Sequence, residues 1–186
     1  MGAALNLLGP VAAHRVRNLP TRVRGINAEM ARLLQRAGFA MITSELSLTV
    51  RRASGKVEHY GVVSRRVVTS AGVNYLVDAW QNLTELENFN YHAIGTGTNA
   101  EATGDTALQT ESALARIAGT TSEPAANQFR TSAEFTATGA LAVTEHGIFS
   151  ASSTGTLWDR SVFSAVNLAN GDKITTQYTL TVGAGG

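Results

Sequence analysis

The 186 residues of this chain predict a mainly β protein: a β-sandwich or jelly-roll-like domain with a basic N-terminal arm, one β-hairpin and two short helices. Three observations lead there. Residues 174–182 alternate without a break, with Ile174, Thr176, Tyr178, Leu180 and Val182 on one side and Thr175, Gln177, Thr179 and Thr181 on the other. That is the period of an extended strand with one face for a core. Similar runs, separated by turn clusters, recur at short spacing after Asn88, about six or seven in all, which argues two packed sheets. Threonine takes the place of charge. There are 22 threonines, 19 of them after Arg66, while charged residues make up only 16% of the chain, against roughly 25% in an average soluble protein.

The strongest run has neighbours that suggest how it pairs. Asn170-Gly171 stands just before it and suits the two positive-φ positions of a tight hairpin. Residues 157–168, rich in aromatic and β-branched side chains, are expected to pair back across that turn. A cluster at residues 150–155 joins them to a third run at residues 141–149. The spacing predicts a three-stranded meander.

From the N-terminus, residues 1–40 read as an arm. Gly9-Pro10, Pro20 and Gly25 break it, and Arg15, Arg17, Arg22 and Arg24 alternate with apolar or neutral residues. Its leucines and valines, Leu5, Leu7 and Leu8 among them, are too many for comfortable solvation, so the arm is expected to order against a partner. Residues 28–37 read as a short helix with Asn27 as N-cap, an apolar stripe through Met30, Leu33, Leu34 and Ala37, and Gly38 to close it. Residues 41–66 switch to period two around Ala53-Ser54-Gly55, a hairpin that should carry Arg51-Arg52 and Arg65-Arg66 at its open end. Residues 67–186 form the main domain. It opens with a helix at residues 71–83, capped by Thr69 or Ser70, whose stripe Val73, Leu76, Val77 and Trp80 is expected to face the core. In residues 128–138, Phe129, Thr131, Ala133 and Phe135 should point inward.

Net charge is +1, but its distribution is uneven. Residues 1–66 hold 11 Lys and Arg against 3 Asp and Glu, and residues 67–186 hold 4 against 11, balances of +8 and −7. Such asymmetry points to a charged partner or to head-to-tail self-association. The chain has no cysteine, so neither disulfides nor thiolate metal sites contribute, which fits a reducing compartment. No run reaches the roughly 20 apolar residues of a membrane span, and a soluble, unprocessed chain is expected.

Chemistry-bearing patterns are weak. The segment 94–98, IGTGT, lacks the third glycine of a dinucleotide fingerprint and the lysine of a phosphate-binding loop, and reads as turn chemistry. His14, His59, His92 and His146 show no metal-ligand spacing. Glu145 and Asp159 are conceivable as a paired-carboxylate site, but two such acids are more often paired with Arg160 or solvated. No catalytic residue, cofactor or metal is expected.

The segments HAIGTGTNAEATGDTALQTE and TEHGIFSASSTGTLWDRSVFSAVNLANGDKITTQYTLTV, following the helix VVTSAGVNYLVDAW, resemble a widespread group of virion proteins of tailed bacteriophages. The likeness covers residues 67–182, is most specific in the two glycine-containing segments, and leaves residues 1–66 outside it. His146 stands where the group has a small residue. The resemblance implies a β-sandwich used on the head surface or in the tail. On that basis the expected function is capsid decoration (cement). The arm would grip the major capsid protein or other virion subunits through Leu5, Leu7, Leu8, Arg15, Arg17, Arg22, Arg24, Leu33 and Leu34. The protein would assemble as a dimer or trimer in the bacterial cytoplasm and reside in the virion. The alternative is a tail or tail-fibre associated domain that binds a receptor. DNA binding has the basic half in its favour but no reading helix or stacking platform, and no nucleic-acid partner is expected.

Overall fold

The structure, a computed structural model, describes residues 33–34, 36–38, 41–65 and 67–184. Strands β1 (Met41–Arg51) and β2 (Val57–Ser64) form the expected hairpin, closed by the Arg52 N–H donating to the Lys56 carbonyl at 2.8 Å. The hairpin belongs to a larger sheet. β1 pairs along all eleven residues with β10 (Lys173–Gly183), from Met41 opposite Gly183 to Arg51 opposite Lys173. β10 pairs in turn with β7 (Gln128–Thr136), and β7 with β6 (Thr120–Ser122), giving the order β2-β1-β10-β7-β6. The second sheet runs β3-β9-β8-β4-β5, from β3 (Val67–Val68), β9 (Leu157–Leu168), β8 (Leu141–Phe149), β4 (Tyr91–Gly95) and β5 (Ile117–Ala118). All the strand pairs are antiparallel. The protein is mainly β.

The two sheets bury one cluster between them. Leu46, Leu48 and Val50 of β1, Phe135 of β7 and Ile174 of β10 meet Ile94 of β4, Val143 of β8 and Val166 and Leu168 of β9. Inward positions at every second residue are what the alternation predicted: Ile174, Thr176 and Tyr178 are buried, as are Thr131, Ala133 and Phe135. Toward the Val182 end the pattern relaxes, with Leu180 half-buried against the cluster of Ile148, Trp158 and Tyr178 and Val182 exposed.

Asn170-Gly171 turns the chain, with Gly171 at φ +82°, but does not close a hairpin. β9 lies in one sheet and β10 in the other, so only the β8–β9 half of the expected meander pairs. Both strands have strongly apolar inward positions, and these face each other across the core instead of lying side by side. The turn is bonded to its surroundings. The Gly171 N–H donates to Ala137, the Asp172 carboxylate accepts from the Ala53 and Ala169 N–H groups, and Arg52 reaches Asp172 at 2.9 Å. Arg51 and Arg52 therefore sit beside the hairpin turn, not at its open end. β1 continues through Arg51 before the chain reverses.

Among the described elements there is one helix, α1 (Ser70–Trp80). Thr69 caps it as expected, its hydroxyl accepting from the Gly72 N–H at 3.0 Å. Its orientation is not the expected one. Gly72 is the buried residue and Leu76 is half-buried, whereas Val73, Val77 and Trp80 are exposed, Trp80 to 77%. The cause is a close approach. A Cβ on Gly72 would stand 2.8 Å from Cε3 of Trp158, so α1 meets β9 along the line through Gly72 and Leu76. Successive residues are 100° apart on a helix, which leaves the line through Val73, Val77 and Trp80 to one side. The other expected helix, residues 28–37, falls mostly outside the described residues. Leu33, Leu34 and Arg36 have helical backbone, and the Ala37 N–H reaches the Leu33 carbonyl at 3.1 Å ahead of Gly38 at φ +84°.

Candidate functional site

The two glycine-containing segments meet at one buried carboxylate. β8 is irregular between Val143 and Glu145, and this places Glu145 on the face of its sheet away from the core between the two sheets. The loop that follows β4 folds back over that face, where Leu108 joins Ala93, Phe149 and Leu157 in a small apolar cluster. Glu145 is fully buried beneath it. Its Oε1 accepts from the Gly97 N–H at 2.9 Å and the Thr110 N–H at 2.7 Å. Its Oε2 accepts from the Gln109 N–H at 3.0 Å and from Nε and Nη2 of Arg160 at 2.9 and 2.8 Å. Burial pushes the carboxyl up, but the bonds from Thr110, Arg160, Gln109 and Gly97 outweigh it and hold Glu145 below the usual carboxylate range. Arg160, 1% exposed, completes the network with Asp105 at 2.9 Å and the Asn99 side-chain oxygen at 2.6 Å.

Gly95 and Gly97 owe their place to this network. Neither has a positive φ, so the turn-chemistry reading of IGTGT is corrected. A Cβ on Gly97 would fall 2.5 Å from Glu145 Oε1 and from Gln109 Cβ, and one on Gly95 would fall 2.6 Å from the same Oε1. The loop backbone can approach the carboxylate only where side chains are missing. Sequence reasoning named Arg160 as a partner for Glu145 or Asp159, with solvation as the alternative; the structure gives it to Glu145, in a buried network that holds the loop.

Asp159, next in sequence to Arg160, points the other way. It is fully buried between the sheets, accepting from Ser44 at 2.6 Å and Ser161 at 3.3 Å, beside Tyr178, whose hydroxyl accepts from the Trp158 indole at 2.8 Å. Burial raises its pKa to about 7. Glu145 and Asp159 thus lie on opposite faces of one sheet and do not make a paired-carboxylate site. His92 and His146 also meet between the sheets, at 3.0 Å, with Thr131 and Thr176 as partners of His92 at 3.1 and 2.8 Å. The hydrogen bonds suit two neutral rings, and His146 Nδ1 has no partner. Burial pushes His92 down to about 3 and His146 well below the usual histidine value. No grouping of three or more His, Cys, Asp or Glu able to hold a metal occurs among the described residues, and no described helix is long and apolar enough to cross a membrane.

The residues expected to bind partners cannot be compared with the structure as a set. Leu5, Leu7, Leu8, Arg15, Arg17, Arg22 and Arg24 lie outside the described residues, while Leu33 is exposed and Leu34 half-buried. The structure instead exposes an apolar surface that sequence reasoning placed in the core. Val73, Val77 and Trp80 of α1 are exposed, and so are Leu83 and Leu86 just beyond it, at 71% and 62%. Contiguous apolar surface of this kind marks interaction sites in soluble proteins. Asp78, Glu85 and Glu87 stand exposed in the same stretch. Compared with protein-family models and with curated protein sequences, the chain finds no match.

Proposed function

We propose that this chain is a structural component of a bacteriophage virion, a decoration protein that attaches to the head shell through residues 1–40. The reading takes the fold as a β-sandwich of the jelly-roll-like kind, with assembly into dimers or trimers in the bacterial cytoplasm, and with no enzymatic activity. One observation carries it. The two segments that resemble phage virion proteins are the two halves of the Glu145 network, one supplying the carboxylate and Arg160, the other the Gly97, Gln109 and Thr110 amides and Asp105. The likeness therefore lies in residues that build the body, which is what a shared architectural role would preserve. A threonine-rich body at −7 and an arm rich in arginine and leucine suit attachment to other subunits.

The experiment is cosedimentation with empty heads. Deleting residues 1–40 should abolish attachment. Raised salt alone should weaken it modestly, because exposed ion pairs contribute only about 0–1 kcal/mol each and apolar contacts set affinity. Full occupancy by the truncated chain would remove the arm as anchor. A second reading, a tail-associated receptor-binding domain, is favoured by Trp80, an exposed aromatic at the end of a helix. Separating heads from tails and finding which retains the chain distinguishes the two.

A further inference from the structure

The stripe on α1 has the form of a helix–helix seam. Val73, Val77 and Trp80 follow one another at spacings of four and three, the pattern by which one helix packs along another. The helix then closes on a turn with Asn82 at φ +58°, where the Leu83 N–H donates to the Asp78 carbonyl at 2.9 Å and the Asn82 N–H to the Ala79 carbonyl at 3.0 Å. A turn of this kind brings Leu83 back toward Val77, so the stripe continues past the helix end. Its borders are uncharged, although residues 67–115 contain six Asp and Glu and no Lys or Arg. Asp78 lies roughly 100° further round α1 than Val77. The chain carrying Glu85 and Glu87 is tied to the opposite flank, where the Tyr75 hydroxyl donates to the Glu85 carbonyl and accepts from the Glu87 N–H at 2.9 Å. Along the seam itself stand Asn74 and Gln81, exposed and neutral, on one side and Leu76 on the other. A basic partner finds no carboxylate there, and a second copy meets no like charge. Trp80, 77% exposed, offers on the order of 190 Å² of the roughly 250 Å² that a large aromatic side chain presents. With Val73, Val77, Leu83 and Leu86 beside it, two copies of the stripe come to on the order of 1,000 Å², the area a specific interface needs.

From this we infer that the protein pairs with a second copy of itself through α1, the two helices antiparallel about a two-fold axis beside Val77. Val77 then meets its own counterpart. At about 1.5 Å per residue, Val73 of one copy lies about 6 Å from the axis and Trp80 of the other about 4.5 Å from it on the same side. A small side chain thus stands across from a large one at both ends of the seam. Parallel helices would set Trp80 against Trp80 and Val73 against Val73, crowding one end and leaving the other open. The antiparallel order also brings the negative end of each helix dipole beside the positive end of its partner. The choice of a dimer rests on the proposed virion reading, and the pairing supplies that dimer with its surface. The two claims fail separately. A chain that stays monomeric and still attaches to heads refutes the pairing alone, whereas a dimer that does not attach refutes the virion role alone.

The test is sedimentation equilibrium of the full-length chain beside the full-length variant Trp80→Glu. The parent is expected at twice the 19.6 kDa of one chain, and the variant at half the parent's mass. Their thermal midpoints should agree when both are dilute, because Trp80 is exposed on its own body. A parent that stays monomeric when concentrated would overturn the inference, as would a trimer or larger assembly. A variant that keeps the parent's mass would overturn it too, since another surface then joins the copies. The chain has no cysteine, which opens a second measurement on the variants Val77→Cys and Asp78→Cys. Two thiols beside the axis come within reach of a disulfide, so mild oxidation should give a covalent dimer from Val77→Cys and none from Asp78→Cys. Equal cross-linking of the two variants, or none in either, would again overturn the antiparallel seam.

Discussion

Strands β8 and β9 and helix α1 invert the usual distribution of residue types. In the strand pair, Glu145, Asp159 and Arg160 are buried, while on the helix Val73, Val77 and Trp80 are exposed. Burial here follows what lies over each face, not the polarity of the residue. β8 and β9 are covered twice, by the facing sheet on one side and by the loop after β4 on the other, so even their charged positions have no route to water. Glu145 keeps its charge through three backbone amides and a guanidinium, whereas the hydroxyls around Asp159 do not offset its burial and its pKa rises to about 7. α1 touches the body along a line through Gly72 and Leu76, with Tyr75 edge-on to Phe89 beside it, and leaves Val73, Val77 and Trp80 exposed.

The comparison breaks most severely at Arg160. Changing Arg160→Met leaves Glu145 buried without its guanidinium and should cost about 3–5 kcal/mol, as removing one partner of a buried pair does. Urea denaturation reads this directly. A cost below about 1 kcal/mol would mean that water reaches Glu145 and that the loop is not the cover described.

Acid sharpens the comparison within the strand pair itself. His92 and His146 titrate lower in the folded chain than in the unfolded one, so the unfolded chain takes up protons first as pH falls. Stability should be fully present above about pH 6.5 and fall as pH drops from there toward about 3, with a slope of at most about 1.4 kcal/mol per pH unit for each ring. Asp159 acts in the opposite sense. Its folded pKa is raised from 3.8 to about 7, so its contribution is fully present below pH 3.8 and is lost as pH rises through 7. The variant Asp159→Asn removes this opposing contribution and should therefore steepen the acid loss between pH 7 and 4, measured as thermal midpoint against pH. An unchanged profile would place the proton elsewhere.

Smaller again is Gly97→Ala. Its Cβ would meet Glu145 and Gln109 at 2.5 Å, and overpacking of this kind costs about 1–3 kcal/mol. Hydrogen exchange at the Thr110 and Gln109 amides should quicken with it, since these are the bonds that must yield. The smallest effect belongs to Trp80→Ala, which should change the stability of the body by less than about 0.5 kcal/mol, as for an ordinary surface substitution. A loss of several kcal/mol would return Trp80 to the core position that periodicity assigned it.

Much of the fold follows from the sequence alone, because a strand's alternation is a local property. The inward positions of β10 from Ile174 to Tyr178 and of β7 from Thr131 to Phe135, the turn at Ala53-Ser54-Gly55 and a cap at Thr69 need only neighbours along the chain, and these are found. Which strand lies beside which is not local. Asn170-Gly171 specifies a reversal but not whether the returning strand pairs with β9 or crosses to the other sheet. That was decided by β1 and β7, which take both edges of β10 along most of its length. The same limit explains α1: a period of 3.6 identifies an apolar stripe, whereas a glycine carries no hydrophobic weight, and only the approach of Trp158 makes Gly72 the point of contact. It explains the Glu145 network too. Carboxylate, guanidinium and amides come from positions 97–110, 145 and 160, and no spacing in the sequence records that they converge. What the sequence by itself determined is where the chain extends, turns and changes charge. What only the tertiary structure decided is which surfaces are covered, since burial depends on residues distant in sequence.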